Sequence, residues 1–132
     1  MQDKDSTMTF APENFTVWAE IPVRDLDAGI AFYEAATGGK LEKMEMGGEP
    51  VALFLTGKRE QSVSANLFVG EPGDAARGPT VFLAVDGRIE DAGARVAESG
   101  GRVTSEVIRI SPGRYLYVAD PDGNRIGLFE PA

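Results

Sequence analysis

The chain contains no cysteine and no histidine among its 132 residues. Without cysteine there is no disulfide, no thiol nucleophile and no thiolate ligand for a metal. Without histidine the chain lacks both the usual general base near neutral pH and the commonest metal ligand. Any metal site would therefore have to be built from carboxylates and other oxygen ligands, which favours hard cations.

Positive charge and long apolar runs are also scarce. The formal net charge is −8 at pH 7, so the chain repels the phosphates of nucleic acids and anionic lipid surfaces, and we expect neither as a partner. No apolar stretch approaches the length of a membrane span. The first residues, MQDKDSTMTFAPEN, have no apolar centre of the signal-peptide kind. We therefore expect a cytoplasmic protein.

What is present is an ordinary globular composition, with 42% hydrophobic and 26% charged residues. The length predicts a single domain that can bury a core without disulfides or metals. Residues 1–12 are polar and end at a proline, so we expect a flexible lead-in there. The domain is then predicted to span residues 13–132.

One strand–turn–helix pattern occurs twice in the chain. Its first copy is FTVWAEIPVRDLDAGIAFYEAAT at residues 15–37, and its second is TVFLAVDGRIEDAGARVAESGG at residues 80–101. At an offset of 64 residues, TVW matches TVF and DAG matches DAG. A repeat of this length predicts two copies of one structural unit related by a pseudo-twofold axis.

Hydrophobic alternation predicts the strands, and apolar spacing of three to four residues predicts the helices. From Phe15 to Val23 the odd-numbered side chains are apolar and should meet a helix, while Trp18 and Glu20 lie on the opposite face. Asp25 is a predicted helix N-cap. The predicted strands are 15–23, 40–46, 51–56, 62–69, 79–85, 102–110, 114–119 and 125–130, and the predicted helices are 26–37 and 89–99. Each half is therefore βαβββ, over about residues 15–69 and 79–130, and the fold class is α+β, with a curled mixed sheet around a cleft.

The segments EIPVRDLDAGIAFYEAATG and VADPDGNRIGLFE, together with the doubled βαβββ unit, resemble the vicinal oxygen chelate superfamily. This superfamily includes glyoxalase I, bleomycin-resistance proteins and extradiol dioxygenases. The resemblance covers nearly the whole chain from Phe15. It implies the fold described above, a ligand cleft and a homodimer.

The resemblance also implies where a metal would bind. In the enzymes of this superfamily, four side chains, usually His and Glu, hold a divalent cation. The matching positions here are Trp18, Asn66 (with Ser64 close to it), Thr80 and Gly127. None offers an imidazole or a carboxylate, which transition-metal sites require. We therefore expect no metal and no other cofactor.

The candidate ligand-binding residues share the sheet face opposite the helices. Trp18 either stacks on a flat ligand or fills space as plain core. Glu20 is a general base, a solvated side chain at the end of the strand, or the ion-pair partner of Arg125. For the others a packing or surface role is the alternative to ligand contact. These others are Ser64, Asn66, Thr80, Phe82, Tyr115, Tyr117, Arg125 and Phe129.

Three functions remain open from the sequence. The favoured one is a metal-free protein that binds a small aromatic or amphipathic molecule in its cleft. The alternative is a lyase, isomerase or dioxygenase that uses an atypical metal site or Glu20 as its base. A third is an assembly role with a vestigial cleft. Asp120 and Asp122 form no acid pair in this interpretation, because the sequence DPDGN predicts a turn.

Overall fold

The computed structural model describes residues 9–58 and 62–132. It has the α+β fold that the sequence predicts, with two mixed sheets and two helices. The elements in chain order are β1 (Trp18–Val23), α1 (Leu26–Thr37), β2 (Leu41–Met46), β3 (Glu49–Phe54), β4 (Ser64–Val69), β5 (Val81–Ala84), α2 (Ile89–Glu98), β6 (Arg102–Val103), β7 (Ile108–Ile110), β8 (Gly113–Ala119) and β9 (Arg125–Pro131). Neither helix is long and apolar enough to cross a membrane.

Each half of the chain builds its own sheet. Module 1, residues 18–69, has the strand order β1-β4-β3-β2, and module 2, residues 81–131, has the order β5-β9-β8-β6, with β7 also paired to β8. In both modules the first strand runs parallel to the last, and the other pairs are antiparallel. The predicted repeat is therefore visible as two sheets of the same plan.

Helix α1 begins and ends where the sequence predicts. The side chain of Asp25 accepts a hydrogen bond from the Ala28 N–H, and Gly38 adopts the left-handed conformation with φ of 80°. The helix buries Phe32 and Tyr33 against the core. Both modules contribute to this one apolar core.

Two details predicted for the first strand are wrong: where it starts, and the burial of Phe15 and Val17. β1 begins only at Trp18, because its partner β4 begins at Ser64 and offers no ladder further back. Phe15 and Val17 are consequently 74% and 67% exposed rather than packed beneath a helix.

The single strand predicted for residues 102–110 is broken into β6 and β7. Between them the hydroxyl of Ser105 accepts a hydrogen bond from the Tyr117 N–H at 2.9 Å. A side chain thus takes the place of a backbone partner along β8, and the ladder is interrupted. The other predicted boundaries shift by one or two residues. The sequence GKRE at residues 57–60 also predicts a hairpin turn, which lies partly outside the described residues.

The two modules are joined by a buried polar contact. The Tyr33 hydroxyl donates to Asp120 at 2.6 Å, and Asn124 donates to Asp120 through its side chain and backbone N–H at 2.8 and 2.9 Å. Burial, and then the charge of Asp120, raises the pKa of Tyr33 well above its ordinary value. Asp120 and Asp122 do form the predicted turn, closed by the Gly123 N–H on the Asp120 carbonyl. The separation into a lead-in at 1–12 and a domain at 13–132 stays a prediction.

Candidate functional site

The strand registers define one open face on each sheet, turned away from the helices. In module 1, Trp18 lies beside Ser64, and in module 2, Phe82 lies beside Gly127. The repeat therefore places an aromatic side chain on the first strand and a small residue on the last strand of both sheets. Thr80, the position that the resemblance matched with a metal ligand, precedes β5, so Phe82 rather than Thr80 shares the row of Gly127.

A groove of about 890 Å³ runs between module 1 and strand β5. Trp18 and Ser64 lie on its module 1 side, and Thr80 and Phe82 lie on its β5 side. The whole segment 79–86 lines it. Val85 donates its N–H to the Phe129 carbonyl of β9, whereas the next residue, Asp86, donates to the Thr37 carbonyl at the end of α1. Because successive residues of a strand direct their N–H groups to opposite sides, those of Phe82 and Ala84 point away from β9.

The indole of Trp18 is fixed by a hydrogen bond. Its Nε1–H donates to the Oδ1 of Asn66 at 2.7 Å, and the Asn66 amide nitrogen donates to the Leu67 carbonyl at 3.2 Å. Asn66 is fully buried, whereas Trp18 is 37% exposed. Asn66 was predicted to contact a ligand; in this structure its side chain orients Trp18. The Ser64 hydroxyl is likewise occupied, because it donates to the Phe54 carbonyl at 2.7 Å.

A second, smaller cavity of about 280 Å³ lies within module 1, and we call it the inner pocket. Trp18 lines both the groove and the inner pocket. The described residues of the inner pocket are apolar or carry hydroxyl groups: Trp18, Met44, Leu53, Phe54, Leu55, Thr56, Ser62 and Ser64. The site thus has one open part and one confined part, with the indole between them.

The open face of module 2 is filled by rings. Phe82 packs edge-to-face against Tyr115 and Tyr117, with ring centroids 5.3 and 5.7 Å apart. The Phe82 ring also covers Gly127 so closely that a Cβ at that position would overlap it. Tyr115 and Tyr117 line neither the groove nor the inner pocket.

The predicted site residues therefore separate into three groups. Trp18, Ser64, Thr80 and Phe82 line the groove, and Asn66 lies behind Trp18. Tyr115 and Tyr117 support Phe82. The remaining three line neither cavity: Glu20, Arg125 and Phe129.

Glu20 and Arg125 do not form the ion pair that the sequence left open. Glu20 is exposed on β1, and no ion pair with Arg125 is present among the described residues. Arg125 donates instead to the carbonyl of Gly78. Its Nε is buried without a partner in the described part of the chain.

Sequence reasoning missed the residues that form the back of the site. Met44 and Leu53 lie on the open face of β2 and β3 and line the inner pocket. Lys40 and Asp86 add one charge of each sign to the groove. The register of β3 against β4 places Leu53 opposite Asn66. The alternation of β3 could have indicated that Leu53 shares a face with Asn66 only if the pairing of the two strands were known, and a single sequence does not give that pairing.

The donor set at the four family positions does not fit a transition metal. It consists of an indole, an amide committed to that indole, a threonine hydroxyl and a glycine covered by a ring. Elsewhere within residues 9–58 and 62–132, no three or more acidic side chains come together in a way that could hold a metal ion. We therefore derive no chemistry through a metal from this site.

The family model for the Glyoxalase/Bleomycin resistance protein/Dioxygenase superfamily matches residues 16–128. The chain belongs to this superfamily. A sequence comparison with curated proteins gave no significant match. The superfamily relationship therefore rests on the family model and on the fold.

Solved structures show the same superfamily fold. A glyoxalase/bleomycin resistance protein from Albidiferax ferrireducens T118 aligns with a TM-score of 0.67 and 17% identity, over 90% of this chain and 100% of the other. The trypanothione-dependent glyoxalase I of Leishmania major aligns with a TM-score of 0.64 and 23% identity, over 89% and 87%. Hypothetical protein SA1046 from S. aureus gives 0.62 and 21%, over 90% and 99%. At these identities the similarity establishes the fold and leaves the activity open.

Proposed function

We propose that this chain is a ligand-binding member of the superfamily without the usual metal site. Its ligand is a small aromatic or amphipathic molecule, which binds in the groove against the indole of Trp18. The observation that carries the proposal is the side-chain set around the groove, where Trp18 and Phe82 stand at or beside the family's metal-ligand positions. An aromatic wall with few polar groups is typical of small-molecule sites.

The chemistry of the groove supports an amphipathic ligand. Trp18 and Phe82 are 37% and 45% exposed, so both rings offer surface for a flat apolar group. Lys40 and Asp86 lie in the same groove and offer a cation and an anion to a polar substituent. A volume near 890 Å³ matches the upper range of sites for drug-sized ligands, about 300–1,000 Å³.

Trp18 is the only tryptophan in the chain, so its fluorescence reports on the groove. The amphipathic dye 8-anilinonaphthalene-1-sulfonate should quench the Trp18 emission by energy transfer as it binds. Calorimetry should give one site per chain, with an affinity that falls about tenfold or more in Trp18→Leu, because the stacking surface is removed.

A matched control is Phe15→Leu, which removes an exposed aromatic ring outside the groove. This variant should bind the dye like the parent chain. Equal dye affinity in the parent and Trp18→Leu, or no binding by any amphipathic aromatic compound tried, would contradict the proposal.

Elemental analysis of protein purified without chelator tests the metal part of the proposal. We expect far less than one divalent ion per chain. One tightly bound ion per chain would favour the alternative function, a lyase, isomerase or dioxygenase with an atypical metal site. The use of Glu20 as the base of such an enzyme finds no support in its exposed position outside both cavities.

We further propose that the chain forms a homodimer in the cytoplasm. In support of a dimer, β1 and β5 each pair with only one strand among the described residues. Large apolar side chains of module 2 that lie outside the groove, among them Val107 and Ile110, are also exposed. Light scattering on the purified chain should give about twice the mass of 14.1 kDa. A monomer at all concentrations would contradict this part.

A further inference from the structure

We infer that the inner pocket is a specificity pocket for a neutral ring system of one or two fused rings. Trp18 forms the wall between this ring and the groove, and Asn66 is the positioning residue that holds that wall. The inference rests on the proposed function, since it assigns part of the same ligand to a second cavity. It goes beyond that proposal by naming the charge and size that the pocket accepts.

The lining of the inner pocket argues for a neutral occupant. Its apolar walls come from Met44, Leu53, Phe54 and Leu55, and its polar atoms include the hydroxyls of three Ser and Thr side chains. Every described side chain that lines it is uncharged. A charged group placed there would lose hydration without gaining a counter-charge from the described lining side chains, which disfavours its binding.

The groove differs in this respect. Lys40 and Asp86 both line it, so a charged substituent has a partner there. The two cavities share Trp18 and Ser64, among other residues. A ligand with a neutral ring in the inner pocket can therefore extend its polar end past the indole into the groove.

The size of the inner pocket argues for a small ring system. Its volume is about 280 Å³, whereas an engineered apolar cavity of about 150 Å³ already holds benzene. Drug-sized ligands need about 300–1,000 Å³. One ring, or two fused rings, is therefore the largest group that the pocket can enclose.

The wall itself is fixed from behind. The hydrogen bond of 2.7 Å from the Trp18 indole to Asn66 selects one orientation of the ring. Asn66 is fully buried and makes a second bond to the Leu67 carbonyl, so it cannot follow the indole if Trp18 moves. The wall between the two cavities is therefore held by a residue that lines neither of them.

Three probes that share one ring test the charge requirement. We would measure the binding of 4-fluorobenzyl alcohol, 4-fluorobenzylamine and 4-fluorobenzoate by ¹⁹F NMR line broadening at pH 7. The neutral alcohol should bind about tenfold or more tightly than the cationic amine and the anionic benzoate. Equal affinities for the alcohol and either charged probe would overturn the inference.

A matched pair of variants tests the location. Leu53→Trp fills the inner pocket, because Leu53 lines only that cavity, and Val63→Trp adds the same bulk to the groove alone. The alcohol should bind about tenfold or more weakly to Leu53→Trp and within about threefold of the parent to Val63→Trp. Circular dichroism verifies folding, and Met44→Trp repeats the test from the neighbouring strand if Leu53→Trp does not fold.

The positioning role has its own readout. Asn66→Leu should reduce the preference for the alcohol over the charged probes and shift the Trp18 emission to longer wavelength, because the released indole meets water. A purely structural role would lower the thermal midpoint and leave both readouts unchanged, which would overturn the role assigned to Asn66.

The two proposals fail in different ways. If the anilinonaphthalene dye binds through Trp18 but Leu53→Trp binds the alcohol like the parent, the specificity pocket is wrong and the groove stands. If neither the dye nor the alcohol binds, the proposed function fails and the inference fails with it.

Discussion

The open faces of the two modules begin from the same pairing and end differently. Trp18 beside Ser64 leaves two cavities around the indole, whereas Phe82 beside Gly127 has its ring pressed onto the sheet and held by two tyrosines. The first aromatic has a hydrogen-bonding group, which Asn66 engages, and the second has none. One repeated unit therefore provides both a hollow face and a filled one, according to what the aromatic side chain can bond to.

The largest effect should come from adding a methyl group beneath the filled face. Gly127→Ala places a Cβ so close to the Phe82 ring that the two overlap, and it should lower the free energy of unfolding by about 2 kcal/mol. The equivalent change in module 1, Ser64→Ala, only removes the hydrogen bond to the Phe54 carbonyl and should cost about 1 kcal/mol. Urea denaturation of both variants measures the contrast.

A double variant sharpens this result. When Phe82 is already alanine, Gly127→Ala should be nearly neutral, because the overlapping ring is gone. No such rescue is expected for Ser64→Ala. Equal costs of Gly127→Ala with and without the ring would show that Phe82 does not close the face of module 2.

Breaking the hydrogen bond that keeps module 1 hollow should have the next largest effect. Asn66→Leu leaves the indole N–H to bond with water and the apolar side chain buried, at a cost of about 1 kcal/mol. The Trp18 emission should move to longer wavelength. Ser64→Ala, which keeps the bond to Asn66, is the control and should leave the emission unchanged.

The two helices also begin differently. In α1 the side chain of Asp25 caps the helix locally. Helix α2 has no local side-chain cap; the Ile89 N–H at its start instead donates to the carboxylate of Glu130 in β9 at 2.9 Å. Asp25→Ala should therefore lower stability by about 1 kcal/mol, the usual worth of an N-cap. Thermal unfolding followed by circular dichroism measures it, and Asp25→Asn, which keeps an acceptor, should stay close to the parent.

The smallest effect should appear at acid pH and belong to module 2. The hydrogen bond from Arg114 lowers the pKa of Glu90 to about 2, and the Ile89 N–H followed by Arg114 lowers the pKa of Glu130. Because both pKa values are depressed, their stabilisation is present above the ordinary value of 4.5 and is lost as the pH falls towards 2. The effect is small because the two carboxyl groups are partly exposed to solvent and their ion pairs are screened by salt.

Arg114→Leu should therefore flatten the fall of the thermal midpoint between pH 4.5 and about 2. The exposed pair of Arg77 and Asp74 provides the control, since it joins residues only three apart in the linker between the modules. Arg77→Leu should leave most of the acid dependence in place. An acid dependence that survives Arg114→Leu unchanged would assign it to other carboxyl groups.

Much of this architecture was predictable from the sequence, because helix caps and strand alternation are local. The Asp25 cap and the order of strands and helices in each half follow from patterns a few residues long. Phe15 and Val17 continue the same alternation, but no strand in the described part of the chain pairs with them. Alternation indicates which face a side chain would take and does not show whether a neighbouring strand exists.

The site was less predictable, since it depends on contacts between distant residues. Trp18 lines both cavities, and Asn66, which accepts the hydrogen bond from its indole, lies 48 positions away in the sequence. Leu53 and Met44 enter through strand registers that one sequence does not specify. Glu20 shares a face with Trp18, but this face of β1 opens to solvent at Glu20, so the shared face did not bring the two into one cavity.

The bond between Tyr33 and Asp120 has a consequence for how the protein is made. The two residues are 87 positions apart. At about 5–20 residues per second, a ribosome adds Asp120 roughly 4 to 17 s after Tyr33. During that delay the Tyr33 hydroxyl has no Asp120 carboxylate to donate to. The first half of the nascent chain therefore cannot complete its packing before synthesis is nearly finished.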